Sequence, residues 1–187
     1  MSKVEEPPYR LITRNEPFEI RAYPEMIVAE ISEIGPRKVA ISSGFRAIAG
    51  FIFGGNPAGQ KIAMTAPVLQ EPDSTTTAPE RLEGTAAWKV RFIMPRNWSL
   101  QTLPRPANAA IALRAVPGER FVVVRYSGLA GDVSVDSHLA RLRRYAAEEG
   151  LKTQGAPVLA FYDPPWTLPF LRRNEIMLAL SADSPPL

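Results

Sequence analysis

Apolar and charged side chains alternate through Phe18-Glu19-Ile20-Arg21-Ala22-Tyr23, the two-residue period of a half-buried strand. Pro24-Glu25 supplies a turn, and residues 26–34 carry Ile27, Ala29 and Ile31 along one side of a second strand. The pair reads as a hairpin. After Gly35-Pro36 the period changes. Ile41, Phe45, Ile48 and Ile52 recur at helical spacing, Phe51 and Phe53 widen the stripe, and Gly54-Gly55-Asn56-Pro57 stops it. Ile62-Ala63-Met64-Thr65-Ala66-Pro67-Val68 is apolar but interrupted by proline, which predicts an edge position or a broken ladder. Trp88, Val90, Phe92 and Met94 alternate with Lys89 and Arg91 in a further strand.

The second half repeats this order. Residues 110–116 and 120–127 predict a hairpin around Pro117-Gly118, and a helix over 133–149 carries Val135, Leu139, Leu142 and Ala146 on one face before Gly150 ends it. Strands follow at 157–162 and 175–180. Each half, about 17–95 and 109–181, is thus strand, strand, helix, strand, strand: a pseudo-two-fold repeat of a ββαββ unit. One such unit leaves a sheet face uncovered, so two are expected to join as a single α+β domain over 8–181, with flexible termini at 1–7 and 182–187. Residues 70–86, rich in Thr, Pro and acidic side chains, predict a mobile surface insertion in a hairpin.

Residues 162–175 break the pattern, with three prolines, Trp166, Phe170 and the pair Arg172-Arg173. Prolines at this density exclude a helix and lower the entropy lost when the loop is fixed. The expectation is an ordered loop packed back on the body, with Trp166 and Phe170 mostly buried and Trp166→Ala costing about 3–5 kcal/mol. Asp163 is expected to cap the N–H groups after Pro165. Arg172 or Arg173 is expected to pair with Glu175.

Composition removes most chemistry. Of 187 residues, 45% are apolar, enough for one substantial core. The net charge of +3 is spread along the chain, which argues against a nucleic-acid partner. The absence of cysteine excludes disulfides and thiolate ligands. The first residues lack the apolar core of a signal peptide and no apolar run is long enough to span a bilayer, so a soluble, cytoplasmic protein without a membrane partner is expected. The one histidine, His138, lies beside the stripe of the second helix and reads as structural. No nucleophile, base and orienting group can be assembled, so an enzyme is not expected. What remains is a set of large apolar side chains near turns, Phe53, Met64, Met94, Trp166 and Phe170, which with arginines at the rim suits a planar apolar ligand bearing carboxylates.

Pro8-Tyr9, Phe18-Glu19-Ile20-Arg21-Ala22-Tyr23, Gly44-Phe45, the Ile62–Val68 motif above, Phe92-Ile93-Met94-Pro95 and the segment 162–175 together resemble the SOUL haem-binding protein family over nearly the whole chain. The resemblance implies a distorted antiparallel eight-stranded β-barrel flanked by two helices. It is also similar to the two-fold effector-binding domains attached to some bacterial regulators, although no DNA-binding portion is evident. It implies haem or another tetrapyrrole, not required by the fold, in a shallow groove beside the first helix. The ligand-binding residues it points to are Arg37, Lys38, Phe45, Arg46, Ile48, Ile52, Met64, Trp166 and Phe170, with no metal ligand. Some members are thought to ligate iron through a histidine ahead of the first helix; Gly35-Pro36-Arg37-Lys38-Val39-Ala40 has none. The alternatives are an effector-type module for another small apolar ligand, or a module acting through an unidentified protein partner.

Overall fold

The computed structural model describes residues 4–73, 82, 87–164 and 166–184. In chain order the elements are β1 (Arg10–Asn15), β2 (Phe18–Tyr23), β3 (Met26–Ile34), α1 (Arg37–Ile52), β4 (Val68–Pro72), β5 (Ala87–Ile93), β6 (Ala112–Val116), β7 (Glu119–Tyr126), α2 (Asp132–Glu148), β8 (Thr153–Phe161) and β9 (Asn174–Leu180). A single 3-10 turn, Pro169–Leu171, interrupts the last connection.

The strands form one nine-stranded antiparallel sheet in the order β1-β2-β7-β9-β8-β4-β5-β3-β6. It does not close into a barrel, which corrects the expected eight-stranded barrel. The unforeseen ninth strand, β1, adds to the outer side of β2, and β6 ends the sheet on β3. Both edges are short and neither has a fully buried residue, and β1 is mostly exposed, charged and irregular in register, features that discourage further pairing. The two expected hairpins are also absent. β2 pairs with β7 and β3 with β6, so each half lends its first strand to the other. The turns at Pro24 and Gly118 connect strands that do not pair with each other.

Both helices pack on one face of the sheet, α1 over β3 and β5, α2 over β7 and β9. Under α1 lie Ile48, Phe51 and Ile52 with Ala29, Ile31, Val90 and Phe92. Under α2 lie Val135, Leu139 and Leu142 with Val122, Val124, Ile176 and Trp88. Gly44 permits the close approach of α1: a methyl group there would stand 2.7 Å from Val90 Cγ2 and 3.1 Å from Ile31 Cγ2. Ser42, Ser43 and Gly44 are therefore mid-helix residues, since α1 begins at Arg37.

The second face is buried as well, around Tyr23, Val123, Ala160 and Met177. The segment 5–9 lies against it. Glu5 bridges to Thr65, Glu6 pairs with Arg173 at 2.9 Å, and Tyr9 sits 5.4 Å from the Tyr23 ring. β2 is consequently not half-buried. Glu19 and Arg21, which alternation alone assigns to solvent, are both buried.

The mobile insertion expected at 70–86 lies largely outside the described residues. Its described members belong to the body: Gln70 is buried in β4, and Leu82 is buried in the α2 core with its N–H donating to Asp136 Oδ1 at 3.1 Å.

Candidate functional site: the outer face of the first helix and the 162–175 loop

The expected ligand-binding residues separate into three groups. Ile48 and Ile52 are fully buried under α1 and belong to the core, and Met64 is partly buried against the same cluster. Arg37, at the first turn of α1, is committed to protein contacts. It donates to Asp132 Oδ1 at 2.7 Å and to the Ala130 carbonyl at 3.2 Å, and its guanidinium lies 5.7 Å from the Phe161 ring. The exposed surface of the helix is left to Lys38, Phe45 and Arg46.

Two further residues extend that surface. Phe53 is 60% exposed just past the end of α1, and Val39 is exposed near its start. Phe53 reads in sequence as part of the core stripe, but it falls where the helix has already ended and turns away from the sheet. Gly50 lies between them on the open side, where a methyl group would meet nothing within 4 Å. Lys61 is exposed beside the C-terminal end of α1, because Ile62 N donates to the Ile52 carbonyl at 2.9 Å. Among the described residues, Lys38, Arg46 and Lys61 form no ion pair. From Lys38 to Phe53 the helix presents about 22 Å of open face at 1.5 Å per residue, with aromatic rings, small residues and cations interspersed.

Two hollows lie elsewhere among the described residues. A cavity of about 200 Å³ is lined by Glu5, Glu6, Met26, Met94, Thr65 and Trp98 among others, and a shallow hollow of about 440 Å³ by Tyr23, Gly118 and Leu180. Neither is lined by a residue of α1. The first is smaller than the roughly 300 Å³ at which small-molecule pockets begin.

Trp166 and Phe170 contradict the expectation of burial. Trp166 is 81% exposed, Leu168 55%, Phe170 70% and Leu171 63%. The loop is nevertheless held firmly. Thr167 N donates to the Pro164 carbonyl, Leu171 N to Leu168, Arg172 N to Pro169, and Gly128 N to the Pro169 carbonyl at 2.9 Å. Arg172 Nε donates to the Thr167 carbonyl at 2.8 Å. Asp163 acts differently from expectation: its carboxylate accepts from Arg173 N at 2.6 Å, pinning the far end of the loop. Backbone hydrogen bonds and prolines fix the loop, so its apolar side chains need not be buried to order it.

Beneath the loop lies a polar cluster that sequence reading found only in part. Glu175, fully buried, accepts from Arg21 Nη1 at 2.7 Å and Nη2 at 3.0 Å, from Tyr162 Oη at 3.0 Å and from Arg173 Nε at 2.9 Å. Arg21 also donates to Glu19 at 2.6 Å and to Tyr23 Oη at 3.0 Å, and stacks 4.4 Å from the Tyr9 ring. The Arg173 pairing matches the expected partner of Glu175, and Arg21 is the one missed. Burial pushes the Glu175 carboxyl up, but hydrogen bonds and charge from Arg21 and Arg173 overcome it and hold the group below the usual carboxylate range. Burial pushes Tyr23 up to about 12 and raises Tyr162 still further. Both arginines and the Tyr162 hydroxyl donate to carboxylates here, so the cluster works as an internal clamp. A signal was present. β7 reads Phe-Val-Val-Val and β9 Ile-Met-Leu-Ala-Leu, runs without alternation that mark strands buried on both faces.

His138 is structural and belongs to α2: its Nδ1 lies 2.8 Å from the Ser134 carbonyl and its ring stacks 3.9 Å from Tyr126. Among the described residues no group of His, Cys, Asp and Glu side chains could hold a metal ion, and no helix is long and apolar enough to cross a membrane.

A nine-stranded antiparallel sheet carrying two helices on one face, in which β2 to β5 with α1 and β6 to β9 with α2 repeat the order strand, strand, helix, strand, strand, defines the class of fold. The SOUL heme-binding protein family model matches residues 4–179, and the chain belongs to that family. Membership of that family makes it a haem- or tetrapyrrole-binding protein. No curated protein matches it in sequence. Among solved structures, the C-terminal domain of EcmrR is similar at a TM-score of 0.62 and 14% identity, covering 92% of this chain and 98% of that one. EcmrR in a complex with DNA is similar at 0.66 and 15% identity, over 88% of this chain and 57% of that one. A hydrolase from Listeria innocua is similar at 0.57 and 15% identity, over 88% and 91%. At these identities the likeness is one of fold. It corrects the expectation that nucleic acid is excluded as a partner, because the same fold occurs within a regulator whose structure was determined with DNA.

Proposed function

We propose that this chain is a cytoplasmic tetrapyrrole carrier that holds the macrocycle flat against the outer face of α1. The observation that carries this reading is the open surface around Gly50, bordered by Phe45 and Phe53 and by Arg46, Lys38 and Lys61. A planar ring can lie over the small residues, the phenyl rings cover its edges, and the cations meet its carboxylates. The fit is to the ring and its carboxylates. Residues 37–53 contain no His, Cys, Tyr or Met, so the face offers no usual axial ligand for iron.

Titration with haem and with metal-free protoporphyrin tests this reading. The two are expected to bind within about threefold of each other, since the iron gains no protein ligand. Phe53→Ala with Arg46→Glu is expected to weaken both by tenfold or more, the equivalent of about 1.4 kcal/mol, and His138→Ala to leave the haem spectrum unchanged. Unaltered affinity in the double variant would remove α1 from the site. A second reading, an effector-type module for a different apolar ligand, is favoured by the lack of an iron donor, and would show as a non-porphyrin mass on the natively purified protein.

A further inference from the structure

Large apolar side chains seldom cluster at the surface of a protein without a partner. Trp166, Leu168, Phe170 and Leu171 do so within six residues, and the exposed Leu129 adjoins them through the bond between Gly128 and Pro169. Three features identify what covers them. First, the surface is a rigid projection and not a groove: neither hollow of the molecule includes any of these residues. A projection of this kind enters a soft phase without needing a shaped counterpart. Second, the composition is Trp, Phe and Leu, side chains that settle at the boundary between headgroups and acyl chains. Third, an exposed cation flanks the tip, while Arg173 is taken up by Glu175 and Glu6. No acidic residue occurs between Pro164 and Arg173. Asp163 is occupied by Arg173 N. Arg125, whose register partner is Glu175 at the start of the returning strand, is exposed without an ion pair among the described residues. We propose that the tip of this loop docks the protein onto an anionic phospholipid bilayer, with Trp166 and Phe170 entering the interface and Arg125 meeting the lipid charge. The attachment is peripheral, as no described helix can span. It is separate from ligand binding on α1 and requires no tetrapyrrole.

Co-sedimentation of the full chain, free of tetrapyrrole, with vesicles of phosphatidylcholine containing 30% phosphatidylserine, and with pure phosphatidylcholine, tests the assignment. The wild-type protein is expected to sediment with the anionic vesicles and at least fivefold less with the neutral ones. Trp166→Ala with Phe170→Ala is expected to lose tenfold or more in partitioning while keeping its circular dichroism and melting temperature. Trp166→Phe should retain most of the binding but lose the blue shift in tryptophan emission that the wild type shows on vesicles, because Trp88 and Trp98 stay in the body. No sedimentation of the wild type, or equal sedimentation of the double variant, would overturn the proposal. So would dimerisation abolished by the same double variant, which would assign the loop to a second copy of the chain.

Discussion

Two layers of one short segment invert the usual arrangement of a protein. At the base of the 162–175 loop, Tyr162, Arg173 and Glu175 join Arg21 in a buried, charged and fully hydrogen-bonded cluster. A few residues away, at the tip, Trp166, Leu168, Phe170 and Leu171 are largely in solvent. Polar groups are inside and apolar groups outside. The base shows that a buried carboxylate is tolerated when several donors meet it. The tip shows that a loop can be ordered by its backbone alone, leaving its side chains free for other use. Rigidity and burial are separable here, and inferring one from the other misplaces Trp166.

The largest effect is expected at the base. Glu175→Leu should cost about 3–5 kcal/mol, because Arg21 is left buried without its carboxylate. Adding Arg21→Met should recover much of that loss, since replacing both partners of a buried pair by apolar groups is often neutral. Equilibrium unfolding of the single and double variants checks this, and a single-variant loss below 1 kcal/mol would mean that the clamp contributes little. A similar loss, about 3–5 kcal/mol, is expected for Trp88→Ala in the core, where the indole is fully buried. Gly44→Ala should cost about 1–3 kcal/mol by forcing α1 off Val90 and Ile31, a change readable in the melting temperature.

The two layers should also differ in their response to pH. Glu175 titrates below its ordinary range in the folded protein. Its contribution is therefore complete above the usual glutamate value near 4.3, and is lost as the pH falls through the lower folded value. Tyr23 and Tyr162 are raised. Their contribution is complete below about pH 10 and fades as the pH climbs above it toward the folded values. Unfolding free energy against pH should thus fall at both ends. The Arg21→Met, Glu175→Leu pair should flatten the acid limb, and Tyr162→Phe the alkaline one. The smallest effect belongs to the tip: Trp166→Ala should shift stability by no more than about 0.5 kcal/mol and leave both limbs as they are.

Much of the fold is legible in sequence, and the rest fails for identifiable reasons. The helical stripe of α1 and the alternation in β5 locate their elements because each has one buried face. The pairing of β2 with β7 is hidden: the Pro24 and Gly118 turns look like local hairpin turns, and only the assembled sheet shows that their strands part. Closure is likewise undecidable from strand patterns, since β1 carries so few buried residues that it scarcely registers as a strand. At the site, Lys38 and Arg46 are recognisable as the polar side of an amphipathic helix, whereas Phe45 reads as part of the stripe of Ile48 and Ile52 and proves to sit at its exposed margin, 5.3 Å from the Phe92 ring. Ile48 and Ile52 belong to its buried side, and Trp166 and Phe170 to a loop whose order is set by bonds that composition does not reveal.

The exchange of first strands between the halves has a consequence in time. Phe18 must find Val124 and Met26 must find Val116, so neither end of the sheet can be completed until most of the chain is available. Contacts this distant in sequence slow folding, because the entropy of closing long loops is lost before the pairing rewards it. During synthesis the first half would stand with β3 lacking β6 on one side and β2, paired only with β1, lacking β7. Such unpaired edges invite aggregation, and the late arrival of β6 and β7 is the event that removes them.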